Sequence, residues 1–390
     1  MIELREKAEP RILPPGYRIC TRCIMDTSDP EIVFDERGEC NHCKQYDYQK
    51  QTVQWDPATR KERLERLVDA IRAEGKGHDY DCLIGVSGGV DSTYVAYLVK
   101  QLGLRPLAIH MDNGWNSELA VGNIERTLRK LNIDLDTEVL DWEEFRDIQL
   151  AFLKASTPDS EIPSDHAITA VLMQRALKYR VKTIVMGSNV SSEGILPRMW
   201  SQGIRDWKYI KGLHDKFGTV PMRTFPHFTL TQFMLSRTLH RRQWINILDA
   251  VEYDKAEAMK TIERELGWIY YGGKHYESVY TRFFQAYILP RKFGYDKRRA
   301  HLSTLVLSGT ISREKALEEM ELPICPPELL RQDREFVIKK LGINEAEFER
   351  IMALPPKTIF DYPAYENAWY LHALRQVYRL PRTLRGLKRG

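Results

Sequence analysis

The fold this sequence predicts is α/β: a parallel twisted sheet with helices on both faces, preceded by a zinc-ribbon module and followed by a helical C-terminal region. Three observations predict it. From residue 81 onward short apolar runs alternate with stretches of helical periodicity. The hexapeptide Ser87-Gly88-Gly89-Val90-Asp91-Ser92 lies where the first run meets the first helical stretch. Four of the 6 cysteines fall within residues 20–43 as two Cys-x-x-Cys pairs.

Residues 1–50 form the cysteine module. Residues 51–80 follow as a polar connection whose Leu64, Leu67, Val68 and Ile71 mark one apolar helical stripe, ending at Glu74-Gly75-Lys76-Gly77. Residues 81–254 carry the sheet. DCLIGVS reads as its first strand, and Val95, Leu98, Val99 and Leu102 follow at helical spacing. RPLAIHMD is the second strand, and a helix with Val121, Ile124, Leu128 and Leu131 comes next. LDTEVL is the third strand, residues 165–180 form a long helix, TIVMGSN is the fourth strand and QWINIL, at 243–248, the last. Strands alternating with helices imply parallel pairing and a sheet buried on both faces. Residues 255–390 read as helical and charged, broken by Gly272-Gly273 and by prolines at 323–327 and 355–356.

Composition narrows the class. The chain has 390 residues, of which 43% are hydrophobic and 29% charged, so it is globular rather than disordered. Lys+Arg 58 against Asp+Glu 54 leaves a net charge of +4, too weak to suggest a dedicated nucleic-acid binder. Glu3, Glu6 and Glu9 stand where a signal peptide needs an apolar run, and no stretch reaches the roughly 18 apolar residues of a membrane span. The expectation is a cytoplasmic protein with no membrane contact.

Cys20-x-x-Cys23 and Cys40-x-x-Cys43 have the spacing of a site in which each pair occupies a tight turn and four thiolates close a tetrahedron around zinc. Such a site has no open coordination position. Zn2+ is therefore expected to fold a segment too small to support its own core, with an iron–sulfur cluster as the alternative occupant of four thiolates. His42 is surplus once four thiolates are in place.

The hexapeptide carries the chemistry. A strand-to-helix turn aims successive backbone N–H groups and the positive helix terminus at one point, which suits an anion. Gly88 and Gly89 let backbone approach a phosphate, Ser87 and Ser92 offer hydroxyl donors, and Asp91 suits either Mg2+ or the loop itself. The lysine of a Walker loop is absent, so the terminal pyrophosphate of ATP is bound as a unit. On these residues the chain resembles the PP-loop ATP pyrophosphatases, which split ATP between the α and β phosphates. That resemblance implies that HMDN at 110–113 and MGSN at 186–189 flank adenine and ribose, with Asp112, Gly187 and Asn189 in contact. Asp112 reads equally well as a helix cap or turn residue, and Asn189 as a turn.

The block from Tyr271 to Leu317 is dense in cations and hydrogen-bonding groups around two glycines, as an anionic, phosphate-bearing substrate would require. Together with the cysteine module, SGGVDS and the SDHAI segment at 164–168, it resembles the N-acetyl sugar amidotransferases of the WbpG and PseA type, from about residue 17 to about 320. The resemblance implies conversion of an acetamido group on a nucleotide-activated bacterial surface sugar to acetamidino, for lipopolysaccharide O-antigen or a related glycan, with ATP and ammonia. In that reading Asp91, Lys274, His275, Lys297 and Arg298 serve the adenylation chemistry, whereas Asp165, His166, Glu277, Arg299 and His301 meet the sugar. No general base is assigned.

No cysteine lies in a Gly-x-Cys-x-Gly elbow, and residue 2 is Ile, so a built-in glutaminase is not expected. The resemblance suggests ammonia from a HisH-like glutaminase, with a HisF-like barrel as conduit. The alternative reading is a PP-loop tRNA-modifying ligase or thiolase. Thiolation calls for extra reactive cysteines, and Cys82, opening an apolar strand, and Cys325, among prolines, read as packing or turn residues. The basic segment 371–390 reads as a solvated helical tail or a partner-docking surface.

Overall fold

The computed structural model describes residues 15–53, 55–273 and 276–367. Lys274, His275 and the basic segment 371–390 lie outside the described residues.

The cysteine module leads into α1 (Asn41–Val53), and α2 (Pro57–Glu74), capped by Asp56, reaches the sheet. The βα succession follows: β1 (Cys82–Gly85), α3 (Val90–Gln101), β2 (Pro106–Asp112), α4 (Glu118–Leu131) and β3 (Asp134–Val139). Two helices, α5 (Trp142–Ala155) and α6 (Ile162–Lys178), precede β4 (Thr183–Met186). Then come α7 (Val190–Glu193), α8 (Trp207–Phe217), α9 (Leu230–Thr238) and β5 (Gln243–Asn246). The remainder is helical: α10 (Lys255–Leu266), α11 (Val279–Phe283), a π-helical segment (Phe284–Phe293), α12 (Lys297–Ser308), α13 (Arg313–Met320), α14 (Pro327–Leu341) and α15 (Glu345–Ala353).

All five strands are parallel, in the order β3-β2-β1-β4-β5. Strand alternation divides the buried side chains between the faces. Cys82 and Ile84 pack with Val95, Val99, Ile124 and Leu128 of α3 and α4. Leu83, Leu107 and Ile184 pack with Val171 and Leu172 of α6. The chain winds outward from β1 to β3, then crosses back to place β4 on the other side of β1. That reversal leaves a crevice beyond the carboxyl ends of β1 and β4, where open α/β sheets bind ligands.

A second core lies beyond the sheet. Phe145 and Phe152 of α5 meet Tyr209 of α8, Phe283 and Phe284, and Phe348 of α15. The sequence reading contained neither α5 nor α8. Phe145, Ile148 and Phe152, behind the N-cap Asp141, carried the signal for α5. The expected QWINIL strand pairs only over Gln243–Asn246, because Ile247–Ala250 turns into a 3-10 helix. Among the described residues no helix is long and apolar enough to cross a membrane.

Candidate active site

The hexapeptide occupies the join between β1 and α3. Gly88 has φ +78°, and a Cβ there would lie 2.4 Å from the Ala120 carbonyl oxygen of α4, so only glycine fits. Trp268 Nε1 donates to the Gly88 carbonyl at 2.9 Å from the opposite side. The two serines tie the ends of the turn together. Ser92 Oγ accepts from Ser87 N at 3.2 Å and lies 3.1 Å from Ser87 Oγ. Gly89, at the N-cap of α3, has no side chain to cap it; the Tyr271 hydroxyl accepts from Val90 N of the first turn, and the N–H groups beside it are left for a ligand. Gly187, after β4, approaches within van der Waals reach: its Cβ position is 3.3 Å from Asp91 C and Ser92 N.

Asp91 is turned away from the turn's mouth. Its carboxylate accepts from Tyr253 Oη and pairs with Lys255 Nζ at 2.8 Å, fixing α3 to the start of α10. Burial and the Asp91 charge push the Tyr253 hydroxyl well above its ordinary range, so it stays a donor. Of its two readings Asp112 takes the turn role and does not line the cavity. Its Oδ1 accepts from Gly114 N at 2.8 Å and Asn116 Nδ2 at 3.2 Å, the turn role, while His110, Asn113 and Asn116 line the cavity instead. Asn189 caps α7 through Ser192 N at 2.9 Å and still reaches the cavity wall.

Ser87 and Ser92 open into a cavity of 3030 Å³. Ligand pockets usually measure about 300–1,000 Å³, so this one has room for two nucleotide-sized molecules. Its walls come from the strand ends, from α6 (Ser164, Asp165), from α7, from 276–301 and from the cysteine module.

The basic block lies along this cavity but is internally paired. Arg298 grips Asp296 at 2.9 Å and donates to the Glu319 and Leu322 carbonyls. Arg299, buried, holds Asp26 at 2.8 Å and the Ile24 carbonyl at 2.7 Å. Lys297 sits 3.3 Å from Glu161, in a cluster completed by Asp159 and Asp165. The three carboxylates outweigh burial and hold its ammonium charged. Asp165 is pushed up to about 8, first by burial and then by the Asp159 and Glu161 charges. Glu277 and His301 line the cavity, and His301 Nδ1 donates to the Ser192 carbonyl at 3.0 Å.

His166 is not at the cavity. It is stacked between Trp207 and Phe228, with Nδ1 on the Ile204 carbonyl at 2.7 Å and Nε2 accepting from Phe228 N at 3.2 Å. Burial lowers it to about 4, so it is a neutral packing residue whose two nitrogens are both used.

In the cysteine module the Cys20–Cys43, Cys23–Cys40 and Cys40–Cys43 sulfurs lie 3.7, 3.6 and 3.7 Å apart. Zn–S bonds of about 2.3 Å in a tetrahedron require edges near 3.8 Å, so the four thiolates fit zinc. A disulfide, at about 2.05 Å, they do not fit. His42 is used elsewhere, 2.6 Å from Asp29. The remaining cysteines are buried: Cys82 is pushed up to about 12 by burial, and Cys325 is raised by the same cause. Neither is poised as a thiolate.

Residues 277–375 match the family model for LPS biosynthesis protein WbpG-like, C-terminal domain. The matched span, about a quarter of the chain, holds α11 to α15 and, with them, Lys297, Arg298, Arg299 and His301. A comparison with curated proteins returns no match. Among solved structures, the chain is similar to an NH3-dependent NAD synthetase from Campylobacter jejuni, with 14% identity over 73% of this chain and 97% of that one, TM-score 0.31. An NMN synthetase from Francisella tularensis aligns at 14% identity over 57% and 90%, TM-score 0.28. A predicted subunit of tRNA methyltransferase from Methanocaldococcus jannaschii aligns at 16% over 46% and 75%, TM-score 0.28. Superpositions this loose carry no argument. The matched span and the strand-end loop line one cavity.

Proposed function

We propose that this protein is an ATP-dependent, AMP-forming amidotransferase that converts an acetamido group of a nucleotide-activated sugar to acetamidino in the cytoplasm. One observation carries the reading: the strand-to-helix anion cradle after β1 and the segment that matches a WbpG-like C-terminal domain open into a single cavity large enough for ATP and a second nucleotide-sized substrate.

An amide carbon is a poor electrophile until its oxygen becomes a leaving group. The amide oxygen attacks the α phosphorus of ATP, the bond to pyrophosphate breaks, and an O-adenylyl imidate forms. Ammonia then adds to the imidate carbon, the C–O bond breaks and AMP departs with the former amide oxygen, leaving the amidine. The N–H groups at the start of α3 and the Ser87 hydroxyl hold the departing pyrophosphate. Mg2+ commonly binds through one or two carboxylates and phosphate oxygens rather than an all-protein cage. Among the described residues only the four cysteines form a metal-spaced cluster of three or more candidate ligands, so Mg2+ is expected to arrive with ATP and meet Glu193 on the cavity wall. When bound, it neutralises phosphate charge.

Ammonia is delivered by a partner, a HisH-like glutaminase with a HisF-like barrel as conduit, because four cysteines form the cluster and the other two are buried. The same facts disfavour a thiolase. The test is incubation with ATP, ammonium and a panel of nucleotide-linked diacetamido sugars, followed by mass spectrometry. Exchange of O for NH, with AMP and pyrophosphate, is expected. ADP and phosphate, or a sulfur-containing product, would overturn the reading.

A further inference from the structure

The zinc-binding module is docked as a wall of the cavity. Ile24 N donates to Ser303 Oγ at 3.1 Å, and Arg313 donates to the Cys20 and Cys23 carbonyls at 2.8 and 3.0 Å. Tyr46 of α1 packs so closely on Gly194 that a Cβ there would meet its ring at 2.7 Å. The Asp26–Arg299 pair closes the joint to α12. These contacts leave one face of α1 on the cavity, and its residues there include Gln45 and Gln49, one helical turn apart.

Neither amide has a hydrogen-bond partner among the described residues, and Gln49 Oε1 is buried without one. The Gln49 oxygen itself is closed off from solvent, so the cavity meets the exposed Gln45 amide and the rest of the Gln49 side chain. Thr27 and Ser28 of the same module also line the cavity and add hydroxyls, and two cations of its wall, Arg298 and Arg299, are committed to Asp296 and Asp26. The amides and hydroxyls that this module contributes suit a hydroxyl- and amide-bearing sugar better than phosphate. ATP is assigned to the other side of the cavity, at the carboxyl ends of β1 and β4.

We infer that Gln45 and Gln49 of the zinc-binding module bind the sugar portion of the second substrate and help to select it, so that the module is a specificity element as well as a fold support. This rests on the amidotransferase reading.

The test is calorimetric titration of the full chain, wild type and the Gln45→Ala/Gln49→Ala double variant, with a non-hydrolysable ATP analogue and then with the panel of nucleotide-linked acetamido sugars. Gln45 is exposed and Gln49 half-buried, and unchanged melting and zinc content check that the variant folds. The double variant should bind the sugar about tenfold or more weakly while its affinity for the ATP analogue stays within about twofold. Equal sugar affinity in both proteins would overturn the inference alone, as would equal losses for both ligands. If the wild type binds no sugar of the panel, the amidotransferase reading falls and the inference with it.

Discussion

Gly88→Ala tests the anion cradle through its backbone. The residue holds φ +78°, and the added methyl would lie 2.4 Å from the Ala120 oxygen, 3.0 Å from its carbonyl carbon and 3.1 Å from its Cα. All three are backbone atoms of α4 that cannot rotate aside. The loop cannot retreat without breaking the 2.9 Å bond from Trp268 to the Gly88 carbonyl. The left-handed conformation costs about 1–2 kcal/mol and overpacking about 1–3, together roughly 2–5 kcal/mol. Thermal unfolding should drop by about 5–15 °C, and the affinity for an ATP analogue should fall with it. Gly89→Ala is the internal control. Its φ is −75°, and the nearest atoms to its Cβ, at 3.3 Å, are the ends of the Ser87 and Tyr271 side chains. Its cost should stay near 1 kcal/mol, that of alanine at a helix N-cap. A Gly88→Ala protein that melts with wild type, or no later than Gly89→Ala, would refute this packing of the turn against α4.

Asp165→Asn should stabilise the protein increasingly as pH rises. With its carboxyl pushed up to about 8 against an ordinary 3.8, the native state keeps a proton that the unfolded chain has released, so wild-type stability falls through that window. Losing the attraction to Lys297 trims the variant's advantage to about 1–2 kcal/mol near pH 8.5. Equal melting gaps at pH 5 and pH 8.5 would count against it. Cys23→Ser should abolish stoichiometric zinc in elemental analysis and open residues 15–53 to protease, while ATP-analogue binding survives. Full zinc content in that variant would contradict the four-thiolate site.

Local chemistry was legible in the sequence, and long-range pairing was not. DCLIGVS revealed β1 because its alternate residues feed two separate cores, and SGGVDS revealed the cradle because the turn works through consecutive residues. The same holds for the cysteines, whose two turns each lie within four residues. Lys297, Arg298 and Arg299 read as substrate ligands because charge density is visible in one dimension, whereas Glu161 and Asp26, which neutralise two of them, are remote in the chain. His166 was misread for a related reason. Its partners are backbone groups of residues 204 and 228, which leave no side-chain signature. Helix α5 was missed although its spacing was readable, because the strands on either side of it dominated the pattern.

The internal pairing of the basic block also decides where phosphate charge is balanced. Pulling Arg299 onto a substrate would leave Asp26 buried with only its bonds from Tyr17 and Ser28, and stripping one partner from a buried ion pair costs about 3–5 kcal/mol. A surface-type contact to phosphate would not return that much. Arg298 is held as firmly, by a carboxylate and two carbonyls. Among the described residues the burden therefore falls on the cradle itself: the first-turn N–H groups of α3 that Tyr271 leaves, the helix dipole and the Ser87 hydroxyl, since Ser92 Oγ donates to the Gly89 carbonyl at 3.2 Å. Lys255 is tied to this end of α3 through its partner, since Asp91 belongs to the helix's first turn. An anion at the cradle strengthens the reason for Lys255 to stay there, and Asp91 becomes a positioning residue, holding a positive charge beside the helix terminus rather than meeting phosphate itself.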